Sequence, residues 1–183
     1  MVGRPRRYSD DSVARATLAV ISSKGVHALK LSDVAAIVGA TAASLVRRFG
    51  TKRLLLLHTS EWCVRELTER VHKFLSLQKP SLRELLETVL VVEHDVASMR
   101  HHAEFLLLDL KDSDFEHNAR TVFDMQRLAI RHLLHSDCIA LHEDVVLAAY
   151  HGACLVFMMT GEGKAFEYLH TTLTNLITDT PSE

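Results

Sequence analysis

Residues 13–57 read VARATLAVISSKGVHALKLSDVAAIVGATAASLVRRFGTKRLLLL, and this stretch decides the fold. Apolar side chains recur in it at helical spacing and predict three short helices, over about 9–23, 31–38 and 41–49. A glycine follows each of the first two helices, as is common at helix ends, and Thr41 is a favourable N-cap for the third. Because only about three residues separate the last two helices, the pattern predicts a helix-turn-helix.

Downstream of this stretch the predicted helices become longer, and no alternation typical of strands interrupts them. Their expected bounds are about 52–77, 81–98, 101–110, 115–135, 141–159 and 164–179. The 183 residues contain only 7 glycines and 3 prolines, too few for the many tight turns of a β-sandwich or barrel. The sequence therefore predicts an all-α fold of about nine helices.

The composition is that of an ordinary globular protein, with 48% hydrophobic and 24% charged residues. The cysteines Cys63, Cys138 and Cys154 are far apart and form no CxxC pair, which argues against a disulfide framework and a zinc module. No uncharged apolar stretch is expected to approach the roughly 18 residues of a membrane span, and charges interrupt the N-terminus where a signal peptide would be apolar. We expect a soluble cytoplasmic protein without a membrane partner.

The charges are divided sharply along the chain. Residues 1–53 contain ten basic and three acidic side chains, whereas the remainder contains 11 basic and 20 acidic ones. The formal net charge of −2 thus combines a module of +7 with a body of −9. Scattered surface charges would be distributed more evenly. The division predicts a basic module for a polyanion over residues 1–53 and an acidic body with a different task over 54–183.

Residues 13–57 contain several features that are each a weak signal alone. Together, in this order, they are specific for one family of domains. They are the small-apolar first helix ending at Lys24-Gly25, Asp33-Val34-Ala35, Gly39, the cap at Thr41, Leu45, Phe49, Lys52 and the leucines that follow. With this set, the stretch resembles the N-terminal DNA-binding domain of TetR-type transcriptional regulators. The resemblance implies an N-terminal three-helix helix-turn-helix domain, followed by a C-terminal helical body for ligand binding and dimerisation.

Three positions depart from the family pattern. Val46 stands where the family usually has Tyr, Arg48 where it has His, and Lys30 where it has Thr or Ser. The loss of the Tyr removes a hydroxyl that in the family commonly contacts a DNA phosphate. Positive charge on Arg47, Arg48 and Lys30 is expected to supply replacement contacts, so DNA binding is retained with an altered set of contacts.

The expected DNA contacts come from the third helix, two lysines and the basic arm that residues 1–8 (MVGRPRRY) form. Small or polar side chains in the first turn of a recognition helix fit the major groove, while Leu45 and Phe49 face the opposite way and are expected in the core. The candidate residues are Arg4, Arg6, Arg7, Lys30, Thr41, Ala42, Ala43, Ser44, Arg47, Arg48 and Lys52. As alternatives, the alanines would pack against another helix, and the arm would bind DNA nonspecifically instead of entering a minor groove.

In the body, the resemblance implies an effector cavity. Met and aromatic side chains suit a pocket that accepts several flat or apolar molecules, although the default position of such residues is the core. The candidate effector-binding residues are Trp62, His94, Met99, Phe105, Met125 and Gln126. Among them, His94 and Gln126 are the expected polar anchors.

Eleven of the twelve histidines lie in the body, which raises a metal site as an alternative. His132 and His135 are three apart, Glu93-His94-Asp95 is a short run of ligand types, and His101-His102 follow it. None of these has the closed spacing of a strong motif such as HExxH, and no GxSxG is present. We therefore expect no metal, no cofactor and no enzymatic activity.

The last two predicted helices are the expected dimer interface. The penultimate helix is apolar around more of its circumference than one buried stripe needs, and small residues one turn apart would let a partner helix approach closely. The candidate interface residues are Val145, Ala149, Gly152, Ala153, Val156, Phe166, Leu169 and Leu173. The alternative is that both helices only close the core of one monomer.

These observations predict a homodimeric transcriptional repressor that binds a palindromic double-stranded DNA operator and is released by a small-molecule effector. The rival class is a helical-bundle metal-binding protein or enzyme whose basic N-terminus is incidental. A third class is a nonspecific DNA-binding protein of the nucleoid type.

Overall fold

A computed structural model describes residues 8–90, 95–108, 112–161 and 163–178. Within these residues there are nine α-helices and no strand, which confirms the all-α prediction. The helices are α1 (Asp10–Ala28), α2 (Leu31–Val38), α3 (Ala42–Phe49), α4 (Lys52–Leu75), α5 (Leu82–Leu85), α6 (Val96–Leu106), α7 (Ser113–Ser136), α8 (Glu143–Thr160) and α9 (Ala165–Thr178). A π-helical turn, Leu86–Leu90, follows α5 directly.

The described residues divide into two compact units. Unit 1 contains the described parts of 1–63 and 101–118, and unit 2 contains those of 64–100 and 119–183. The helices α4, α6 and α7 each contribute residues to both units. Unit 1 is therefore larger than the basic module of the sequence, because it also includes the start of α4 and part of the chain from α6 to α7.

Unit 1 is organised around an apolar cluster that holds its N-terminal helices together. The buried members are Val13, Ala16, Val20, Ile21, Val26, Leu29, Val34, Ala35, Leu45, Leu55, Leu56, Phe105 and Phe115. Leu45 is the buried residue of α3, and its side chain is completely inaccessible. Since burying a leucine contributes roughly 1.5–3 kcal/mol, this one side chain anchors the short helix α3 to the rest of unit 1.

Gly25 ends the regular part of α1, at the position expected from the sequence. Its backbone is left-handed, with φ of +77°, a conformation that favours glycine. A side chain there would also clash, because a Cβ would lie 2.7 Å from Oε2 of Glu104. That carboxylate accepts a hydrogen bond from the N–H of Val26 at 3.2 Å. The turn after α1 is thus fastened to α6.

Unit 2 has its own core, to which α4, α5, the π-helical turn, α7, α8 and α9 contribute. The buried members are Leu67, Val71, Phe74, Leu85, Leu86, Val89, Leu90, Ala129, Ile130, Leu133, Leu134, Val146, Leu147, Tyr150, Ala153, Leu169 and Leu173. Two ion pairs join α7 to α8, Arg127 with Asp144 at 2.5 Å and Arg131 with Glu143. Packing and charge therefore hold α7 and α8 together.

Two helix bounds differ from the sequence prediction. The helix expected over 81–98 is interrupted, since α5 passes into the π-helical turn after Leu85. The next helix, expected to begin at about His101, begins at Val96. The physical reason is a cap that the apolar pattern did not reveal. A carboxylate oxygen of Asp95 accepts the N–H of Ser98 at 2.8 Å, as an N-cap does.

The helix α8 corrects the expectation that no stretch approaches the length of a membrane span. By length and composition it would suffice to cross a bilayer, with a mean hydropathy of 1.2 over 18 residues. Its apolar side chains lie on two faces: Val146 and Phe157 are buried in unit 2, whereas Leu155 and Met159 are exposed by 56% and 77%. The exposed apolar face is large enough that we expect a further surface to pack against it.

The pair between Arg131 and Glu143 leads to a prediction about acid stability. The Arg131 guanidinium lowers the pKa of Glu143 from the ordinary value of 4.5 to about 2. The ionised carboxylate therefore stabilises the fold fully above about pH 4.5, and this contribution is lost as the pH falls towards 2. We expect Glu143→Gln to lower the free energy of unfolding at neutral pH by about 1 kcal/mol.

The same substitution should cost progressively less as the pH falls below about 4.5, as urea unfolding at several pH values will measure. The matched control is Glu167→Gln, because Glu167 also lies in the first turn of a helix but is exposed. It should change the free energy of unfolding by no more than about 0.5 kcal/mol at any pH. A loss in Glu143→Gln that is independent of pH would contradict the role of the ion pair.

Candidate nucleic-acid interface

The helix α3 is held on one side and open on the other. Its N-cap is Thr41, as the sequence predicted, and the Thr41 side-chain oxygen accepts the N–H of Ser44 at 3.1 Å. Leu45 is completely buried, and Phe49 packs against the same apolar cluster. Because α3 has only eight residues, these contacts determine which of its side chains point outward.

The outward face of α3 consists of Ala43, Val46 and Arg47, which share one side of the helix at spacings of three and four. All three residues are exposed, and 49% of the surface of Val46 is open. Ala42 lies half-buried beside them. The face is therefore small and apolar with a cation next to it, a surface that fits the major groove of DNA.

Ser44 and Arg48, two of the predicted DNA contacts, are bonded within the protein. The Ser44 hydroxyl donates to the carbonyl of Thr41 at 2.7 Å and accepts from the Tyr8 hydroxyl at 3.1 Å. The Arg48 guanidinium pairs with Asp10 and lies 5.3 Å from the centroid of the Tyr8 ring. We name the four residues Tyr8, Asp10, Ser44 and Arg48 the arm clamp.

The arm clamp engages polar groups of Ser44 and Arg48 within the protein. The proton of the Ser44 hydroxyl is already donated to a backbone oxygen, so it is not available to a base. The charge of Arg48 is offset by Asp10 and held against an aromatic ring. Together with Leu45, these contacts fix the rotation of α3 about its axis and tie Tyr8, the first described residue, to it.

The two candidate lysines stand near helix ends. Lys30 is exposed and immediately precedes α2. The Nζ of Lys52, at the start of α4, donates to the carbonyl oxygen of His27 at 2.9 Å. Since an ammonium carries three N–H bonds, this contact orients Lys52 and leaves it able to meet a phosphate.

Arg53, by contrast, is neutralised inside unit 1. Its guanidinium donates to both carboxylate oxygens of Asp112, at 2.6 and 2.7 Å, and to Asp114 at 2.6 Å. The same guanidinium holds the pKa of Asp112 below its usual value. Arg53 therefore links the start of α4 to the start of α7 and adds little to the field that a polyanion would meet.

The proposed effector residues are divided between the two units. In unit 1, Phe105 belongs to the apolar core, and Trp62 is buried with no hydrogen-bond partner for its Nε1 among the described residues. In unit 2, Met99 packs in a small apolar cluster and Met125 packs against the main core. Gln126 is buried, and within the described chain its Oε1 also has no partner.

Four further candidates, Arg4, Arg6, Arg7 and His94, lie outside the described residues. The remaining candidates, those for the dimer interface, differ in burial. Val145, Gly152 and Val156 are exposed, Ala149 and Phe166 are half-buried, and Ala153, Leu169 and Leu173 are buried in the core of unit 2. The last three have no surface to offer to a second copy, because their own unit covers them.

In the part of the chain that the structure describes, no group of three or more His, Cys, Asp or Glu side chains is placed to hold a metal ion. Two of the histidines considered above contact the backbone instead. The Nε2 of His132 lies 3.2 Å from the carbonyl oxygen of Leu77, and the Nδ1 of His101 lies 2.8 Å from that of Ser22. These rings serve the packing of their units.

Two residues of this candidate surface, Val46 and Tyr8, are not among the contacts expected from the sequence. Val46 is absent from the expected contacts because it replaces the Tyr that is usual in the family, although its spacing from Ala43 places both on the face directed away from Leu45. Tyr8 gave no local signal, since its partner Ser44 is 36 residues away. A helical-wheel argument would have found the first, but only the folded contact between Tyr8 and α3 reveals the second.

Comparison with known proteins agrees with this arrangement. Residues 14–59 match the family described as bacterial regulatory proteins, tetR family. This segment includes all of α2 and α3 and therefore the whole outward face of the helix-turn-helix. No curated protein sequence matches the chain.

Solved structures with the same fold cover nearly the whole chain. A TetR transcription regulator from Haloarcula marismortui is 16% identical, with 93% of this chain and 97% of that chain covered and a TM-score of 0.72. A protein from Saccharomonospora viridis, described as a transcriptional regulator and bound to choline, is 15% identical over 92% and 95%, with a TM-score of 0.71.

The multidrug binding protein EbrR, in complex with imidazole, is 22% identical over 95% of this chain and 94% of that one, with a TM-score of 0.59. Structures of EbrR with proflavin and with ethidium are also similar. At these identities the similarity establishes the fold alone, and the family match is confined to residues 14–59. The chain thus has the all-α fold of these TetR-type regulators, and its residues 14–59 resemble the model of that family.

Proposed function

We propose that the chain is a ligand-responsive transcriptional repressor of the cytoplasm that binds a palindromic operator as a homodimer. Residues 1–53 bind DNA in this proposal, and residues 54–183 bind the effector and form the dimer. The observation that carries it is the outward face of α3, where Ala43, Val46 and Arg47 are exposed on a helix whose other side is buried through Leu45. A recognition helix needs one side that is fixed in the core and an opposite side that is exposed and formed by small residues.

In the bound state, α3 lies in the major groove, with Thr41, Ala42 and Ala43 close to the base edges and Arg47 reaching a base or a phosphate. Lys30 and Lys52 contact the phosphate backbone, which makes binding strongly dependent on salt. Ser44 and Arg48 act through the arm clamp and orient the helix. This division of roles revises the sequence prediction, which counted both among the DNA contacts.

The basic arm is proposed to enter a minor groove beside the recognition helix. Its cations Arg4, Arg6 and Arg7 precede Tyr8, which the arm clamp ties to α3. Since an extended residue spans at most ~3.6 Å, Arg4 stays within roughly 15 Å of Tyr8. The tether supports specific contacts, because arginine side chains are attracted to a narrow A·T minor groove.

The dimer is proposed to form through the exposed face of α8, called here the α8 stripe. It consists of Val145, Ala148, Ala149, Gly152, Leu155, Val156 and Met159, which recur at spacings of three and four. Small residues in its middle allow a second helix to approach, and Phe166 of α9 lies half-buried. Ala153, Leu169 and Leu173 are left out of the interface because unit 2 buries them.

The effector is proposed to be a small organic molecule that binds in the helical body. Two proteins of similar fold form complexes with small organic molecules. They are EbrR, with imidazole, proflavin and ethidium, and the Saccharomonospora viridis protein, with choline. In unit 2 the buried, unpaired Oε1 of Gln126 would attract a hydrogen-bond donor or a cation. An effector that binds better when the two DNA-binding domains are wrongly spaced weakens operator binding by its differential affinity.

The first prediction compares neighbouring arginines on α3. The probe is the duplex that the full chain selects from a random DNA library, called here the selected duplex. Arg47→Ala should weaken binding to it about tenfold or more, because the exposed guanidinium faces the groove. Arg48→Ala should instead lower the free energy of unfolding by about 1 kcal/mol, since it breaks the arm clamp.

Each variant is the control for the other, because both remove one positive charge from the same helix. Fluorescence anisotropy over a range of salt concentrations gives the affinity and its salt dependence, and urea unfolding gives the stability. If Arg48→Ala reduced the salt dependence as much as Arg47→Ala, Arg48 would be a phosphate contact after all. Failure to select any duplex would overturn the proposed function.

The second prediction concerns the α8 stripe. A Cβ at Gly152 would meet nothing within 4 Å, so Gly152→Arg should leave the monomer folded while it blocks a second helix. We expect sedimentation velocity to show monomers and the affinity for the selected duplex to fall at least about tenfold, because two linked domains bind better than one. The control is Thr171→Arg, on an exposed polar position of α9. A Gly152→Arg protein that stays dimeric would move the interface elsewhere.

The third prediction concerns the effector and uses ethidium as the probe, with the full chain in the absence of DNA. Ethidium should raise the melting temperature of the protein. Gln126→Leu removes the unpaired oxygen, so it should leave the free protein at least as stable and reduce this ligand-induced shift. An equal shift in both proteins would exclude Gln126 from the site, and no shift in either would argue against an effector of this class.

A further inference from the structure

Val46 is an exposed apolar side chain in the middle of a surface that is proposed to meet DNA. It keeps 49% of its surface open and lies on the same face as Ala43 and Arg47. Valine has neither a donor nor an acceptor in its side chain, so it cannot bond to a phosphate or to the polar edge of a base. What it can gain from a partner is the removal of apolar surface from water.

The major groove contains one apolar group on the base edges, the 5-methyl group of thymine. We propose that Val46 contacts a thymine methyl in each half-site and makes the operator specific for thymine at that position. The inference rests on the proposed function, since it requires α3 to lie in the major groove. The proposal also gives a consequence to the replacement of the family's usual Tyr by Val46. A contact with a phosphate is exchanged for a contact that depends on the base sequence.

The packing of α3 supports this assignment, because Val46 has no other way to be covered within unit 1. Leu45 fills the core on the opposite side of the helix, and the arm clamp holds the flank that carries Ser44 and Arg48. The helix therefore cannot rotate to bury Val46 without breaking these contacts. Ala43, one turn earlier on the same face, leaves room for a methyl group to approach.

The test replaces thymine by deoxyuridine, which lacks only the 5-methyl group, at one position of the selected duplex at a time. Synthetic DNA without 5-methylcytosine is used, so that thymine is the sole source of such methyl groups. For the wild-type chain, we expect one symmetric pair of positions at which each substitution weakens binding about fourfold, the value of one buried methyl group. In Val46→Ala the same substitution should have an effect of less than about twofold.

Ile37→Ala is the matched control, because Ile37 is also an exposed aliphatic residue, 58% open, but lies on α2. This variant should keep the full sensitivity to deoxyuridine. If a duplex is selected but no deoxyuridine position affects Val46→Ala less than the wild type, the inference fails while the proposed function stands. If no duplex is selected, both fail.

Discussion

The burial of Leu45 is the interaction on which the proposed recognition surface depends. The helix α3 is only eight residues long, too short to be stable alone, and Leu45 is its one completely buried side chain. That contact fixes the outward direction of Ala43, Val46 and Arg47. The arm clamp adds a second constraint on the flank of the helix, so that the surface is rigid before it meets DNA and loses little entropy on binding.

Charge serves two separate purposes in unit 1. Arg48 and Arg53 are paired with carboxylates and hold elements of the unit together, whereas Arg47 and Lys30 are exposed. The excess of basic residues in 1–53 therefore overstates the number of cations that are ready for a polyanion. Binding to DNA is expected to neutralise fewer phosphates than a count of arginines and lysines suggests, so its dependence on salt, although strong, should be less steep than that count predicts.

The sequence predicted the helix-turn-helix and its bounds well, because glycine and Thr41 mark the ends of α2 and α3 within the chain itself. It predicted the later helices less well where a cap such as Asp95 or a π-helical turn decides the bound, since neither changes the apolar pattern. Contacts between distant residues escaped it altogether: Tyr8 with Ser44, and Arg53 with Asp112. It could not separate the two apolar faces of α8, because the face that includes Ala153 is covered by residues far along the chain.

The most direct test of the account is a hydroxyl-radical footprint of the full chain on the selected duplex. Two recognition helices joined across a two-fold axis should protect two equivalent segments, with centres about 10 base pairs or a multiple of that apart. Protection should be symmetric about the midpoint of the duplex. A single protected segment, or uniform protection along the DNA without a centre of symmetry, would contradict the proposal that two copies of this chain read successive major grooves.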